Sequence, residues 1–451
     1  MTLHPRKNAR PSGMRAYLVI QAGQFVSIIG TAMSRFALTL FAWEQTNEAT
    51  ALALMAFFHF LPVVLFSTSA GVLVDRWPRK LTMMLSDLGA GSMTIVLLAL
   101  SLTGQLQIWH IYATAFVVGA FESFQFPAYS AAISQMVGKE QYSRASAIEG
   151  MVQAAAGIIA PVLAGFLFAP LGLNGILLLD VVSFSFAMVA LLIVAIPPTP
   201  ATDPAKRNSF IKDSMYGFRF ILSRPSLFGL QMIFFFGNFL YSVGSSLHSP
   251  MILARTGSNE QALATVNAAM LAGSFVGGVF ITWWGGPRRR IYGVVSGWVI
   301  SAFFLTLLFG LAQGTAAWAA LGFAGMVSFP LVNASNQAIW MSKVPPAMQG
   351  RVFSVRRLVA QVCSPLGMFL AGPLADNIFE PGMRAGGALV PLFGGMFGSG
   401  QGAGMAVLVS ISGVLCIASV LLVYLVPAVN QVERIIPDFE SEAEALPQPT
   451  A

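Results

Sequence analysis

The chain has 451 residues, of which 56% are hydrophobic and only 10% charged, with a mean hydropathy of +0.73 and a formal net charge of +7. A soluble domain carries about 25% charged residues, so a water-soluble multidomain enzyme is excluded, and 36 Phe exclude a disordered chain. A polytopic membrane protein remains. The two cysteines, Cys363 and Cys416, lie in apolar stretches and supply neither a disulfide framework nor metal-ligand spacing.

Crossing a hydrocarbon layer of roughly 30 Å takes about 20 apolar residues in a helix. Twelve stretches meet that length. The first six cover 17–43, 51–74, 81–103, 109–136, 146–169 and 173–196. The second six cover 227–254, 262–284, 291–313, 316–342, 353–375 and 404–426. They are continuous apolar runs, not the ten-residue alternations of a barrel, so the predicted class is all-α with twelve transmembrane helices.

The basic residues orient the spans. With the N-terminus placed in the cytoplasm, all of the 25 Lys and Arg fall on inward-facing segments except Arg35, Arg255 and Arg384. Both termini are therefore expected inside, in the cell (inner) membrane. The same asymmetry accounts for the basic isoelectric point and removes nucleic acid as a partner. A cleaved signal peptide is not expected, because the first apolar stretch is too long and contains Gln21, Gln24 and Arg35.

The domain plan has four parts: a six-helix bundle over 1–196, a linker over 197–226, a second bundle over 227–430 and an acidic tail over 431–451. The linker opens on Pro197-Pro198-Thr199-Pro200. Within it Ile211, Met215, Phe218 and Leu222 recur at helical spacing, with Lys212 and Arg219 on other faces, which predicts an amphipathic helix at the membrane surface. The two bundles echo each other. Gly71-Val72-Leu73-Val74 before Pro78-Arg79-Lys80 parallels Gly278-Val279-Phe280-Ile281 before Pro287-Arg288-Arg289, and Phe126-Pro127 parallels Phe329-Pro330. Arg144 and Ala164-Gly165 match Arg351 and Ala371-Gly372 at one offset. Two six-span repeats around a midplane site are the plan of an alternating-access carrier.

Gly71, Asp75, Arg76, Arg79 and Lys80 follow the second span in a pattern that resembles the 2–3 loop signature of the major facilitator superfamily, with Pro78 in place of a glycine. An aspartate there can face the positive N-terminal end of a helix from the other half. By the resemblance that partner is the start of span 11, near Arg351, and the contact is a gate made in one conformation and broken in the other. The basic residues also fix topology, and the two roles are compatible. Gly157, Pro161 and Gly165 in span 5 resemble the glycine/proline motif of the drug:proton antiporter branch, with Ala160 where a glycine is usual. A plain helix-packing face explains the same residues. Phe126-Pro127-Ala128-Tyr129, the run from Pro345 to Phe353 and the Gly-rich stretch 380–404 resemble exporters related to the enterobactin exporter and the macrolide-efflux proteins.

Ionisable groups at membrane depth cost about 2.5–3.5 kcal/mol on insertion scales, so each is a functional candidate. Glu122 sits halfway along span 4, which lines the central cavity in the resembled fold. It is the candidate site for a proton or a cationic substrate; a permanent structural ion pair is the alternative. Arg35 is one possible partner, although residue counting puts it about 10 Å nearer the outer surface. Asp87, Glu149, Arg356 and Arg357, one or two turns inside their spans, read as a cytoplasmic charge cluster around the 2–3 loop. His59 reads as a hydrogen-bonded core residue, and Asp180 has no assignment. Gln24, Asn238, Asn333, Asn336 and Gln337 are available to bond substrate or neighbouring helices. Antiporters of the resembled superfamily often carry an Arg in span 4, whereas residues 108–136 contain neither Arg nor Lys.

The expected activity is secondary export of hydrophobic or amphiphilic small molecules of drug, macrolide or siderophore type, with protons as the coupling partner. No phosphate-binding G-x-x-x-x-G-K-[ST] loop occurs, so ATP is not expected to drive it. No metal, cofactor or catalytic residue is implied, and the lipid bilayer and a monomeric state complete the partner list. An importer or uniporter of the same fold, and a membrane-embedded enzyme or receptor, are the alternatives.

Overall fold

The computed structural model describes residues 13–74, 77–137, 141–195 and 210–435. These residues form helices and turns, without a β-strand among them. The first five helices are α1 (Gly13–Thr46), α2 (Ala49–Val74), α3 (Arg79–Leu102), α4 (Ile108–Met136) and α5 (Tyr142–Ile193). After the linker come α6 (Phe210–Leu222), α7 (Pro225–Ser246), α8 (His248–Thr256), α9 (Glu260–Trp284) and α10 (Arg290–Ala302). The remaining nine are α11 (Phe309–Leu311), α12 (Thr315–Val327), α13 (Phe329–Lys343), α14 (Pro346–Leu374), α15 (Glu380–Met383), α16 (Val390–Phe397), α17 (Ala403–Tyr424), α18 (Pro427–Asn430) and α19 (Val432–Ile435). Two π-helical turns, Phe303–Leu308 and Ala375–Phe379, join α10 to α11 and α14 to α15.

Ten stretches of the described residues are long and apolar enough to cross a membrane. One of them, Ile148–Ile193, holds two crossings. A straight helix the length of α5, 52 residues, would run about 78 Å, far more than the layer, and Gly172 breaks it with φ 62°, a left-handed value that glycine adopts freely. The helix α4 has 29 residues and is the polar exception, with Glu122 and Gln125 inside it. Counted this way, the described residues contain twelve segments of membrane-crossing length.

The chain divides into two compact units. Unit 1 comprises Met1–Ala42 and Phe58–Asp203; unit 2 comprises Trp43–Phe57 and Pro204–Ala451. In unit 1, Ala16, Tyr17 and Ile20 of α1 pack with Met83, Ala128, Ala132 and Leu191, and the Tyr17 hydroxyl donates to the Ala145 carbonyl at 2.6 Å. The Lys80 ammonium donates to the carbonyls of Leu192 and Val194 at the end of α5 (3.2 and 2.6 Å), satisfying acceptors that a helix C-terminus leaves open.

Unit 2 is built around Leu227, Leu230, Phe234, Trp298, Val332 and Trp340. The helix α6 belongs to it: Phe220 and Ile221 are buried in this core, while Met215, Phe218 and Leu222 are exposed. The helices α1 and α2 end and begin in unit 2, through the segment Trp43–Phe57. There the Trp43 indole donates to Ser258 Oγ at 3.1 Å. The carboxylate of Asp376 accepts from the backbone amides of Ala49 and Thr50 at 3.1 and 2.7 Å. The Gly-rich stretch after α14 is anchored in the same way, since Glu380 accepts from the amides of Gly402 and Met405 (3.2 and 2.9 Å).

Candidate functional site

Helices α1, α3, α4 and α5 of unit 1 enclose a cavity of about 400 Å³ whose wall is rich in carboxylates and amides. Glu122, from the middle of α4, is its centre. One carboxylate oxygen accepts from the Arg35 guanidinium of α1, and the other lies 3.2 Å from His59 Nε2 of α2. Both Arg35 and Glu122 keep solvent access, with side chains 52% and 28% exposed. Counting residues along spans measures only Cα heights. The long arginine side chain brings its guanidinium to the carboxylate all the same.

His59 reaches Glu122 because α2 and α4 touch. Gly119, one turn before Glu122, has no side chain, and a Cβ there would collide with the backbone carbonyl of His59 and come within 2.9 Å of Pro62. The glycine therefore sets the helix spacing that positions the imidazole. It is a positioning residue that periodicity gives no reason to single out, although a glycine i−3 from an intramembrane carboxylate is the available signal.

Asp87 of α3 is 7% exposed. Its oxygens accept from the amide nitrogens of Gln24 at 2.9 Å and Gln125 at 2.5 Å. Glu149 of α5 lines the same cavity. Sequence position groups these two carboxylates with Arg356 and Arg357. The structure places them on the cavity wall of unit 1, and Asp87 is held there by amides. Arg356 sits within unit 2. It donates to Gln337 Oε1 at 2.7 Å and lies over the Trp340 and Phe353 rings, 5.5 and 5.1 Å from their centroids. Arg357 donates to Gln361 at 3.3 Å. Gln231 and Asn238 brace α14 through the carbonyls of Arg356 and Ala360 (both 3.0 Å), while Asn333 bonds its own helix at Phe329 (3.2 Å).

Asp75 and Arg76 of the loop motif lie outside the described residues. Gly71 ends α2 among residues whose side-chain surroundings are likewise outside them. Arg79 is buried and opens α3. Along α5, Ala156, Ala160 and Ala164 are fully buried and Pro161 lies within the helix. The small residues thus form a packed stripe one turn apart, with Gly157 and Gly165 next to it. Sequence reasoning leaves Asp180 unassigned. It is 2% exposed and accepts from Thr31 of α1 at 3.2 Å and Thr94 of α3 at 3.1 Å.

A mid-span carboxylate between a guanidinium and an imidazole, next to a cavity, can exchange a proton and change the charge of the wall. The chain matches the Major Facilitator Superfamily family model over residues 22–368. It is 25% identical over 367 residues to macrolide efflux protein A of Streptococcus pyogenes, covering 80% of this chain and 90% of that protein. It is 25% identical over 218 residues to the enterobactin exporter EntS of Escherichia coli O1:K1 / APEC, covering 48% of this chain and 52% of the exporter. Among solved structures, the POT family transporter PepTSo superposes with a TM-score of 0.68 at 13% identity, covering 92% of this chain and 98% of that one. A bacterial homologue of the lysosomal transporter Spinster, inward-facing and unoccupied, gives 0.63 at 15%, covering 94% and 96%. At these identities the structures speak for the fold alone. The family match spans most of the chain and agrees with its apolar helices of membrane-crossing length: the chain belongs to the Major Facilitator Superfamily of membrane transporters.

Proposed function

We propose that this transporter exports hydrophobic or amphiphilic small molecules from the cytoplasm, driven by protons moving inward through Glu122. The observation that carries the reading is the Arg35–Glu122–His59 contact set on the cavity wall. Span 4 has neither Arg nor Lys, and Arg35 supplies from α1 the guanidinium that α4 lacks. Protonating Glu122 removes the charge that holds both partners and frees Arg35 and His59 to turn elsewhere. Deprotonation restores the triad. A proton moving down the membrane potential contributes about 2.3 kcal/mol per 100 mV, which is enough to bias the two access states each cycle.

The similarity to proteins named for macrolide efflux and enterobactin export supports outward transport of bulky molecules. The cavity wall adds a preference within that range. Among the described residues Asp87, Glu122, Glu149 and Asp180 line the cavity with Arg35 as its one guanidinium, so an amphiphile with a basic nitrogen suits the wall better than an anionic one. The basic-residue pattern supports a cell-membrane protein with both termini in the cytoplasm, acting as a monomer. Asp75 and its basic neighbours serve as the inner gate.

The test uses purified protein in proteoliposomes. With an imposed pH gradient, a basic macrolide or dye should accumulate on the acidic side, and a protonophore should abolish the accumulation. Movement of substrate out of loaded vesicles at a rate indifferent to the protonophore would replace this reading with uniport. Asp75→Asn should lower turnover about tenfold, a loss matching a coupling of 1–3 kcal/mol between gate and cavity, with substrate binding retained. An unchanged rate removes the gate.

A further inference from the structure

Unit 2 carries a basic cluster at the end where α9, α13 and α17 finish and α10 begins. Trp283-Trp284 close α9, and Gly285-Gly286-Pro287 lead into Arg288, Arg289 and Arg290. The cations differ in what holds them. Arg289 is built into the fold: its guanidinium donates to the Tyr292 hydroxyl at 2.5 Å and to the Asn430 carbonyl at 3.1 Å. Lys343, at the end of α13, donates to the Glu433 carbonyl at 2.9 Å. Arg290 folds back across the turn and gives one N–H group to the Gly285 carbonyl at 2.6 Å, next in the chain to Trp284. Arg288 and Arg434 are exposed, and their side chains make no hydrogen bond or ion pair among the described residues. Five cations thus gather against the one carboxylate of Glu433, which is itself held by the amides of Arg290 and Ile291.

Beside these cations the surface is aromatic. Trp283 is 82% exposed and Trp284 47%, and Phe280, one turn earlier, is exposed as well. The Phe280 ring centroid lies 6.2 and 5.6 Å from those of Trp283 and Trp284. Indole rings at the end of an apolar helix belong at headgroup level, where the ring meets acyl chain and the N–H stays wet. Setting the orientation of the spans requires only that basic residues stand on this side of the membrane. It does not require that guanidinium donors be left open beside an uncovered aromatic face.

We propose that this end of unit 2 binds an acidic phospholipid of the phosphatidylglycerol class, its phosphate at Arg288 and Arg290 and an acyl chain along Phe280 and Trp284. Charge complementarity chooses the occupant. Basic clusters at the ends of spanning helices attract anionic headgroups, and the guanidinium fork matches phosphate oxygens. Arg434 adds to the attraction within a screening length and needs no contact. The rival occupant is this chain's own acidic tail, with Asp438, Glu440, Glu442 and Glu444 a few residues beyond Ile435. The tail answers the charge, whereas a phospholipid answers the charge and covers the aromatic face. The site does not depend on which molecule is exported or on proton coupling through Glu122.

Native mass spectrometry of the purified full-length protein, titrated with phosphatidylglycerol or phosphatidylcholine, tests it. Wild type should hold phosphatidylglycerol at least about tenfold more tightly than phosphatidylcholine, as two basic residues at an anionic headgroup allow. Glycerol phosphate, the headgroup without its chains, should not displace the lipid. Arg288→Gln and Arg290→Gln should each weaken phosphatidylglycerol about fivefold, the worth of about 1 kcal/mol per basic residue near an anionic surface. The double variant should lose the preference over phosphatidylcholine, and Arg288→Lys, which keeps the charge, should retain it. Trp284→Ala should weaken both lipids alike. Arg384→Gln, which removes an exposed arginine elsewhere in unit 2, should change neither, and a chain ended after Ile435 should bind as wild type does. Equal affinity of wild type for the two lipids overturns the proposal. So does an undiminished preference in the double variant, or displacement by glycerol phosphate. Binding seen only in the shortened chain would make the tail the occupant instead.

Discussion

Carboxylates do different work in the two units. In unit 2, Asp376, Glu380 and Glu433 each take two backbone amides at the start of a helix. Asp376 holds the first turn of α2 and Glu380 the entry to α17. Glu433 holds α10 through the amides of Arg290 and Ile291 (2.9 and 3.2 Å). These groups fill donors that every helix N-terminus leaves open, where its dipole also favours a negative charge. In unit 1, Asp87, Glu122 and Asp180 sit along their helices beside a cavity, and their partners are side chains. A backbone amide cannot move away without unwinding its helix, whereas a glutamine, arginine or histidine can rotate. Unit 2 thus holds its negative charges on backbone donors, and unit 1 holds its own on side chains that can rotate.

The contrast can be broken by substitution. The largest effect is expected from Glu122→Gln, which should lower proton-driven transport about 100-fold or more, the scale of losing a proton-transfer group, and flatten its pH profile. A wild-type profile in that variant would remove Glu122 as the coupling group. Gly119→Ala is next. Its methyl group meets the His59 carbonyl, so α2 and α4 must part at a cost of about 1–3 kcal/mol for overpacking. The measured pH dependence should shift even where the protein remains folded; an unmoved profile would show that His59 is not part of the triad's function. The smallest effects belong to unit 2. Asp376→Asn and Glu433→Gln should each lower thermal stability by about 1–2 kcal/mol, the worth of a helix cap, with the pH profile of transport intact. If either abolished the pH dependence as Glu122→Gln does, the division of labour between the units would fail.

The all-helical fold is legible because lipid enforces it: a spanning segment must satisfy its own backbone, and continuous apolar runs reveal where it does. The break in α5 is equally plain, since the predicted spans stop and restart around Gly172. Glu122 stands out for the same reason, as a charge in oil. Its partners are harder to read. Arg35 is displaced from Glu122 in the residue count, and only the direction of its side chain brings them together. The distance of Asp87 from its span end is visible in the sequence, whereas the helix face that turns it to Gln24 and Gln125 is not. Asp180 looks isolated because hydroxyl donors such as Thr31 and Thr94 carry no signal in hydropathy. The segment Trp43–Phe57 joins unit 2 through contacts such as that of Ala49 with Asp376, 327 residues away, and no local pattern announces a contact at that separation.

That contact bears on how the protein is made. The first turn of α2 leaves the ribosome early, yet the carboxylate that caps it arrives with the eleventh crossing. Until then the amides of Ala49 and Thr50 must be served by water or by passing headgroups. The first helical hairpin therefore enters the bilayer with its tip unfinished, and a chain truncated before Asp376 would never complete it.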